Sequence, residues 1–188
     1  MCSPAVVAQT HKSGDRRVVK EHGEPRLRVV AGDDVTEADL RRVWELHCSG
    51  WRGRGGSDVT SERFRLFLRD LPAAVGPSGR PVLAFLQLGD RDVTGDYGFL
   101  MDGRYFLYFG GFDPEFARYS VGHLALLALV EFGIEQGWTE IDLMKGGERY
   151  KFGFTRCTAG AADLWMARTP ARLRAATALA LLRARVSA

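Results

Sequence analysis

Residues 93–144 read VTGDYGFLMDGRYFLYFGGFDPEFARYSVGHLALLALVEFGIEQGWTEIDLM, and the order of patterns in this stretch decides the fold class. Val93 to Met101 and Arg104 to Phe109 are two runs of β-formers joined by Asp102-Gly103, the dipeptide that suits a tight type I′ turn, so they are expected to pair antiparallel. After a loop from Gly110 to Tyr119, the run Val121 to Gln136 is apolar almost all round. Its exceptions are His123 and the i, i+4 pair Glu131 and Glu135, and Gly137 is placed to end it. A helix of that composition belongs inside the protein. Trp138 to Met144 then reads as another strand. Antiparallel strands followed by helix and strand make an α+β domain with a mixed, mostly antiparallel sheet flanked by helices.

Working upstream, Val82 to Leu88 reads as a third strand of this sheet, and Leu27, Val29 and Val30 suggest a short first strand. Thr36 with Asp39 three residues on is a capping-box variant that opens a helix striped with Leu40, Val43, Trp44, His47 and Trp51. Gly50 and the run Arg52 to Gly56 break it. A second helix carries Phe64, Phe67, Leu68 and Leu71 at i, i+3, i+4, i+7 spacing and is expected to stop before Pro72. Both helices should cover one face of the sheet. Downstream, Glu148 to Phe152 reads as a short helix, Ala161 to Ala167 as a strand and Ala171 to Arg185 as a terminal helix. Residues 1–24 show no apolar period and read as a flexible N-terminal tail, leaving 25–188 as a single domain.

The chain has 188 residues, 26 Lys plus Arg against 23 Asp plus Glu, a formal charge of +3, and 46% hydrophobic residues. That balance excludes a disordered or collagen-like chain. Three surplus charges are too few for an electrostatic grip on nucleic acid, so no DNA partner is expected. Cys2, Cys48 and Cys157 are odd in number, far apart and without a C-x-x-C pair, which favours neither a disulfide framework nor a zinc site. The N-terminus lacks the order of a signal peptide. The run Tyr119 to Val130, without a formal charge, is far short of the roughly 20 residues of a spanning helix. These features read as a cytoplasmic protein with no transmembrane segment.

Ser120, Val121, Gly122, His123 and Leu124 open the apolar helix, where free amides and the helix dipole suit a phosphate; the plain alternative is that Ser120 caps a core helix. Asp142 lies toward the end of a strand, and Lys145, Gly146, Gly147, Glu148, Tyr150 and Lys151 follow in the turn behind it, where such folds carry their chemistry. Only four lysines occur, and two bracket this block. Lys151 suits a phosphate or an acceptor carboxylate, or else is a solvated charge on a turn. His47 and His123 read as structural histidines. No Ser-His-Asp order and no metal-ligand cluster is visible, so no metal is expected. The terminal leucines, Leu173, Leu179, Leu181 and Leu182, stand among arginines and suit packing against the domain or a partner chain, or contact with an anionic membrane surface.

Three blocks stand in order: L-H-C-S-G-W-R-G-R-G-G-S from Leu46, G-G-F-D-P-E-F-A-R-Y-S-V-G-H-L from Gly110, and I-D-L-M-K-G-G-E-R-Y-K-F-G-F from Ile141. Together they resemble the GNAT superfamily of acyltransferases. The match is closest to the acetyltransferase domain of the CelD-like proteins of cellulose and exopolysaccharide biosynthesis, which are related to the FemAB-like transferases, and it spans roughly residues 37 to 168. The resemblance implies a GNAT-like fold and transfer of an acetyl or other acyl group from acyl-CoA to an amine or hydroxyl. The acceptor would be a sugar or small metabolite, in exopolysaccharide or cell-envelope biosynthesis.

By the same resemblance, Ser120 to Leu124 hold the coenzyme A pyrophosphate, with Gly122 at the family's glycine. Tyr119 and Leu124 stand where a basic first residue and a second glycine are usual. Pantetheine pairs with the strand that ends at Phe109 and Gly110. Tyr150 is the general acid that protonates the departing thiolate, or else an amphipathic core residue. Asp142 and Glu148 steer the amine or accept its proton, or serve as cap and ion-pair residues, and Arg52 and Arg54 lie in the loop over the acceptor or are simply solvated. Such proteins usually carry two GNAT-like halves, of which this chain resembles the second. A homodimer or a partner GNAT-like half is therefore expected. Two other readings are a FemAB-like transferase using aminoacyl-tRNA and a non-catalytic subunit of a polysaccharide-synthesis assembly.

Overall fold

The computed structural model describes residues 6–9, 16–51, 60–76, 79–160, 168–172, 174 and 177–178. The chain falls into two compact units, Met1–Gly146 and Gly147–Ala188. The first contains β1 (Val6–Gln9), α1 (Arg16–His22), β2 (Arg26–Ala31), α2 (Glu37–Trp51), α3 (Glu62–Val75), β3 (Arg80–Leu88), β4 (Arg91–Asp92), β5 (Thr94–Met101), β6 (Arg104–Phe112), α4 (Val121–Glu135) and β7 (Glu140–Asp142). In the second, Lys151–Gly153 form a 3-10 turn where a short helix over Glu148 to Phe152 was expected. The expected strand Ala161 to Ala167 lies outside the described residues, as does much of the expected terminal helix; residues 170–172, 174 and 177–178 of that region are helical.

The strands form one mixed sheet in the order β1-β2-β3-β5-β6-β7, with β4 paired to β3. Every pairing is antiparallel except β6 with β7, which is parallel. The β5–β6 turn takes positive φ at both Asp102 (49°) and Gly103 (77°), the type I′ geometry expected of that dipeptide. Thr139 pins this turn to the start of β7 by donating its amide to the Gly103 carbonyl at 2.8 Å.

Helices α2 and α3 share one face. Val43, Leu46 and Leu68 pack there with Leu83, Phe85, Tyr97, Phe99 and Phe109 of the sheet. Helix α4 packs on β2, β3, β5 and β6 from the other side and buries Val121, Leu124, Ala125, Leu126, Ala128, Leu129, Phe132 and Gly133. Gly122, His123, Ile134 and Glu135 stay exposed toward its two ends, so the apolar run is buried through its middle and not on every side.

Several boundaries differ from the sequence reading, each for a physical reason. The N-terminal segment is not a loose tail where it is described: β1 pairs with β2, and Val18 of α1 is fully buried. A four-residue strand and a seven-residue helix are too short to show a period, and their stability comes from distant partners. Helix α3 continues through Pro72 to Val75. Proline removes one amide bond near the helix end, while Leu71 and Val75 on either side pack on the core and Gly76, at φ 62°, closes the helix. Strand β7 is only three residues long, not seven. The Trp138 ring stacks on Tyr105 at 4.9 Å, and the Asp142 carboxylate accepts the Met144 amide at 2.7 Å, turning the chain away.

The capping box forms as a reciprocal pair. Thr36 Oγ1 accepts from the Asp39 amide at 3.2 Å, and Asp39 Oδ2 accepts from the Thr36 amide at 3.1 Å. Arg28 also donates to Asp39 Oδ1 at 2.8 Å. Burial pushes the Asp39 carboxyl up, but the hydrogen bonds from Thr36 and Arg28 outweigh it and hold the group below the usual range. A lowered carboxylate pKa adds stability above its unfolded value, and that stability is lost as pH falls through the folded one. Asp39→Ala is expected to cost about 1–2 kcal/mol at pH 7 in urea denaturation. The difference from wild type should shrink as pH falls below about 4.

Candidate functional site

The site grows out of one irregular strand. Register in the β5–β6 pair shifts where Tyr97 faces Phe109 and Gly98 faces Leu107, so Tyr108 is an extra, bulged residue. A bulge bends its strand and raises the local twist. The pairing of β6 with β7 covers only Arg104 to Phe106 against Glu140 to Asp142, and so ends two residues before the bulge. Beyond Phe106, no strand among the described residues lies along the outer edge of β6. Among the described residues the backbone there is an unpaired sheet edge, the kind that takes an extended ligand.

Gly110 and Gly111 are glycines because both faces of the strand are occupied at contact distance. A Cβ at Gly111 would lie 2.3 Å from the His47 amide nitrogen and Cα of α2, and one at Gly110 would lie 2.0 Å from Asp96 Oδ1 of β5. Helix α2 also serves the strand's carbonyls: His47 Nδ1 lies 2.7 Å from the Gly110 oxygen, and Ser49 Oγ donates to the Phe112 oxygen at 3.1 Å. Burial holds the His47 imidazole below its ordinary pKa against the opposing effect of the Gly110 carbonyl. Phe109 is buried with its ring edge-on to His47, which makes its side chain part of the core.

From Phe112 the chain passes through a 3-10 turn, Pro114–Tyr119, to Ser120, a non-glycine residue in the left-handed region at φ 54°, and then into α4. Ser120 makes no side-chain cap bond, so the plain capping role does not hold. Its carbonyl accepts from the His123 and Leu124 amides, and the amides of Val121 and Gly122 face the open helix end. Val121 and Leu124 are buried, whereas Ser120, Gly122 and His123 are exposed. A Cβ on Gly122 would meet nothing within 4 Å, so no protein atom demands glycine there. Beside this loop, Tyr119 bonds to Glu21 and His22 of α1, and Arg118 pairs with Glu21 at 3.0 Å. Hydrogen bonding from Tyr119 is the main reason the Glu21 carboxyl lies below its usual range.

The structure thus brings Phe109, Gly110, Ser120, Val121, Gly122, His123, Leu124 and Asp142 into the first unit. Asp142 stands at the last β6–β7 pair. Glu148, Tyr150 and Lys151 belong to the second. There Lys151 is largely buried and pairs with Glu148 at 2.8 Å, which lowers the Glu148 carboxyl, and Tyr150 is half exposed. Arg52 and Arg54 lie outside the described residues. Among the described residues no His, Cys, Asp and Glu cluster suits a metal, and no helix is long and apolar enough to cross a membrane.

One group escaped the sequence reading. Asp96 lies mid-strand on β5, has no hydrogen bond or ion pair among the described residues, and is pushed up to about 7 by burial. The available signal was a lone carboxylate inside the β-forming run T-G-D-Y-G-F.

The family model of the acetyltransferase (GNAT) domain matches residues 7–152. Among solved structures, that of a "possible acetyltransferase" from Clostridium difficile 630 is similar over 76% of this chain and 99% of its own, at 9% identity and a TM-score of 0.52. An aminoglycoside acetyltransferase from an uncultured soil metagenomic sample, solved with sisomicin, is similar over 80% of this chain and 98% of its own, at 16% identity and a TM-score of 0.46. AAC(6')-Iy, solved with a bisubstrate analogue, is similar over 76% of this chain and 99% of its own, at 11% identity and a TM-score of 0.49. No curated protein matches the sequence. At such identities the structural likeness is one of fold. With the family model covering residues 7–152, and a sheet whose one parallel pair joins β6 to β7, the chain belongs to the acetyltransferase (GNAT) domain family.

Proposed function

We propose that this enzyme transfers an acetyl group, or another acyl group, from acyl-CoA to an amine or hydroxyl of a sugar or small metabolite. Within the family we place it with the CelD-like proteins of exopolysaccharide and cell-envelope biosynthesis, on the sequence blocks from Leu46, Gly110 and Ile141. The observation that carries the donor is the open outer edge of β6 after Phe106, followed in the chain by the α4 N-terminus with open space in front of Gly122. An extended amide-bearing arm pairs with such an edge as a strand would, and free amides at a helix start take a pyrophosphate. The residues present fit coenzyme A on both counts. Gly110 lies on the edge, and Ser120, Val121, Gly122, His123 and Leu124 form the anion cradle, with Val121 and Leu124 acting through their backbone.

Bound acyl-CoA supplies the thioester. The chain's own contribution is then orientation along β6 and charge stabilisation at α4. On the sequence resemblance, Tyr150 returns a proton to the departing thiolate, Asp142 and Glu148 steer the amine, and Arg52, Arg54 and Lys151 contact the acceptor. Lys151 is already paired with Glu148 at 2.8 Å.

Calorimetry with acetyl-CoA tests the reading. Saturable micromolar binding, about −8 kcal/mol, is expected. Tyr150→Phe should leave that affinity and the circular dichroism spectrum unchanged while lowering acetyl-CoA-dependent thiol release by about 100-fold. No binding at millimolar acetyl-CoA would sink the donor assignment, and full activity of Tyr150→Phe would remove that residue as the acid.

A further inference from the structure

Asp96 has no structural task that explains it. It sits on β5 opposite Gly110 of β6, on the sheet face away from the Tyr97 and Phe99 core, and no hydrogen bond or ion pair among the described residues holds it. Its Oδ1 lies 2.0 Å from where a Cβ at position 110 would stand, in space that any side chain there would fill. Glycine at 110 therefore leaves the carboxylate adjoining the strand whose outer edge is open. Gly110 lies four residues past the last β6–β7 pair, within the stretch that an extended ligand would cover.

We infer that Asp96 is the ionisable group of the acyl-transfer point: its carboxylate faces the thioester held along β6 and accepts the proton released by the attacking nucleophile. The inference rests on the acetyltransferase reading given above. The step balances with acetyl-CoA and an amine alone. The amine nitrogen forms a bond to the acetyl carbonyl carbon, the carbon–sulfur bond breaks with its electron pair on sulfur, and the proton lost by nitrogen passes to a carboxylate oxygen of Asp96. The thiolate then takes up a proton of its own.

The surroundings suit this role. The titratable groups near Asp96 are phenols: Tyr105 of β6, which feels its charge, and the adjacent Tyr97, which points to the opposite face. Strand β3 opposes it with Ala84, and no charged side chain from β3, β6 or α4 contributes to its shift, which comes from burial. A carboxylate so placed titrates near neutrality, where a proton acceptor works best.

The test is calorimetry of acetyl-CoA binding to the full chain in buffers of different ionisation enthalpy between pH 6.5 and 8. An uncharged thioester against Asp96 removes water from it and raises its pKa further. Wild type should therefore take up about half a proton per acetyl-CoA near pH 7.5, and affinity should fall about threefold per pH unit there. Asp96→Asn should bind acetyl-CoA with no such uptake, and its melting temperature above pH 7 should equal or exceed that of wild type, because an ionised, partly desolvated carboxylate is gone. Its thiol release with primary amines should fall at least about 100-fold with acetyl-CoA affinity retained. Binding without proton uptake in wild type, the same uptake in Asp96→Asn, or an unchanged rate each overturns the assignment. Absence of acetyl-CoA binding in wild type shows up in the isotherm itself, and it would fell the acetyltransferase reading together with this inference.

Discussion

Gly122→Glu is expected to abolish coenzyme A binding while leaving the fold as stable as before, or slightly more so. The second residue of α4 is exposed, and a Cβ there meets nothing within 4 Å, so the longer side chain has room. In the protein alone the change is favourable twice over. Replacing glycine inside a helix gains about 0.5–1 kcal/mol, and a carboxylate in the first turn gains about 0.3–1 kcal/mol from the helix dipole. With a pyrophosphate at the same amides the sign reverses. Two unit charges about 4 Å apart repel by about 4 kcal/mol at an effective dielectric constant near 20, which is about a thousandfold in affinity before salt screening. Thermal melting and acetyl-CoA calorimetry on the same preparation separate the two effects. Equal affinity in wild type and variant would remove the α4 N-terminus as the phosphate site, and a parallel loss of melting temperature would point to misfolding.

Gly111→Ala is expected to destabilise the first unit by about 3 kcal/mol. Over-packing usually costs about 1–3 kcal/mol when flexible side chains can give way. Here the atoms met at 2.3 Å are the amide nitrogen and Cα of His47, which are helix backbone and cannot rotate aside. Relief requires moving α2 off β6, which pulls on the hydrogen bonds from His47 and Ser49 to the Gly110 and Phe112 carbonyls. For a chain of this size the melting temperature should drop by roughly 6–12 °C. Gly122→Ala is the matched control, because its added methyl touches nothing. A drop no larger than the control's would mean that α2 does not press on β6 at this point.

What could be read from residues alone is what depends on neighbours in sequence. Asp102-Gly103 announced its turn because a tight hairpin needs positive φ at two successive positions. Thr36 and Asp39 announced a helix start because their mutual hydrogen bonds span three residues. The apolar run from Val121 announced a helix buried over most of its length, and Gly137 its end, at φ 72°. Helix α3 ran past its expected stop because the core contacts of Leu71 and Val75 outweigh a proline near a helix end. The same limit hid β1 and α1, whose partners are Arg26 to Val29 of β2 and the loop tyrosine Tyr119, far along the chain.

The candidate site divides in the same way. Local sequence by itself determined an α+β domain with a mixed, mostly antiparallel sheet and marked Gly110 and Ser120 to Leu124 as the stretch to watch, because motif glycines and helix starts are short-range features. Only the tertiary structure decided that Tyr108 bulges, that β6 leaves β7 after Phe106, that Ser120 does not cap its helix, and that Asp96 rests on Gly110. The reason is that a bulge is a mismatch between two strands, and a burial-raised carboxylate is a property of the atoms around it. Neither is carried by any one segment until the sheet and its helices close over them.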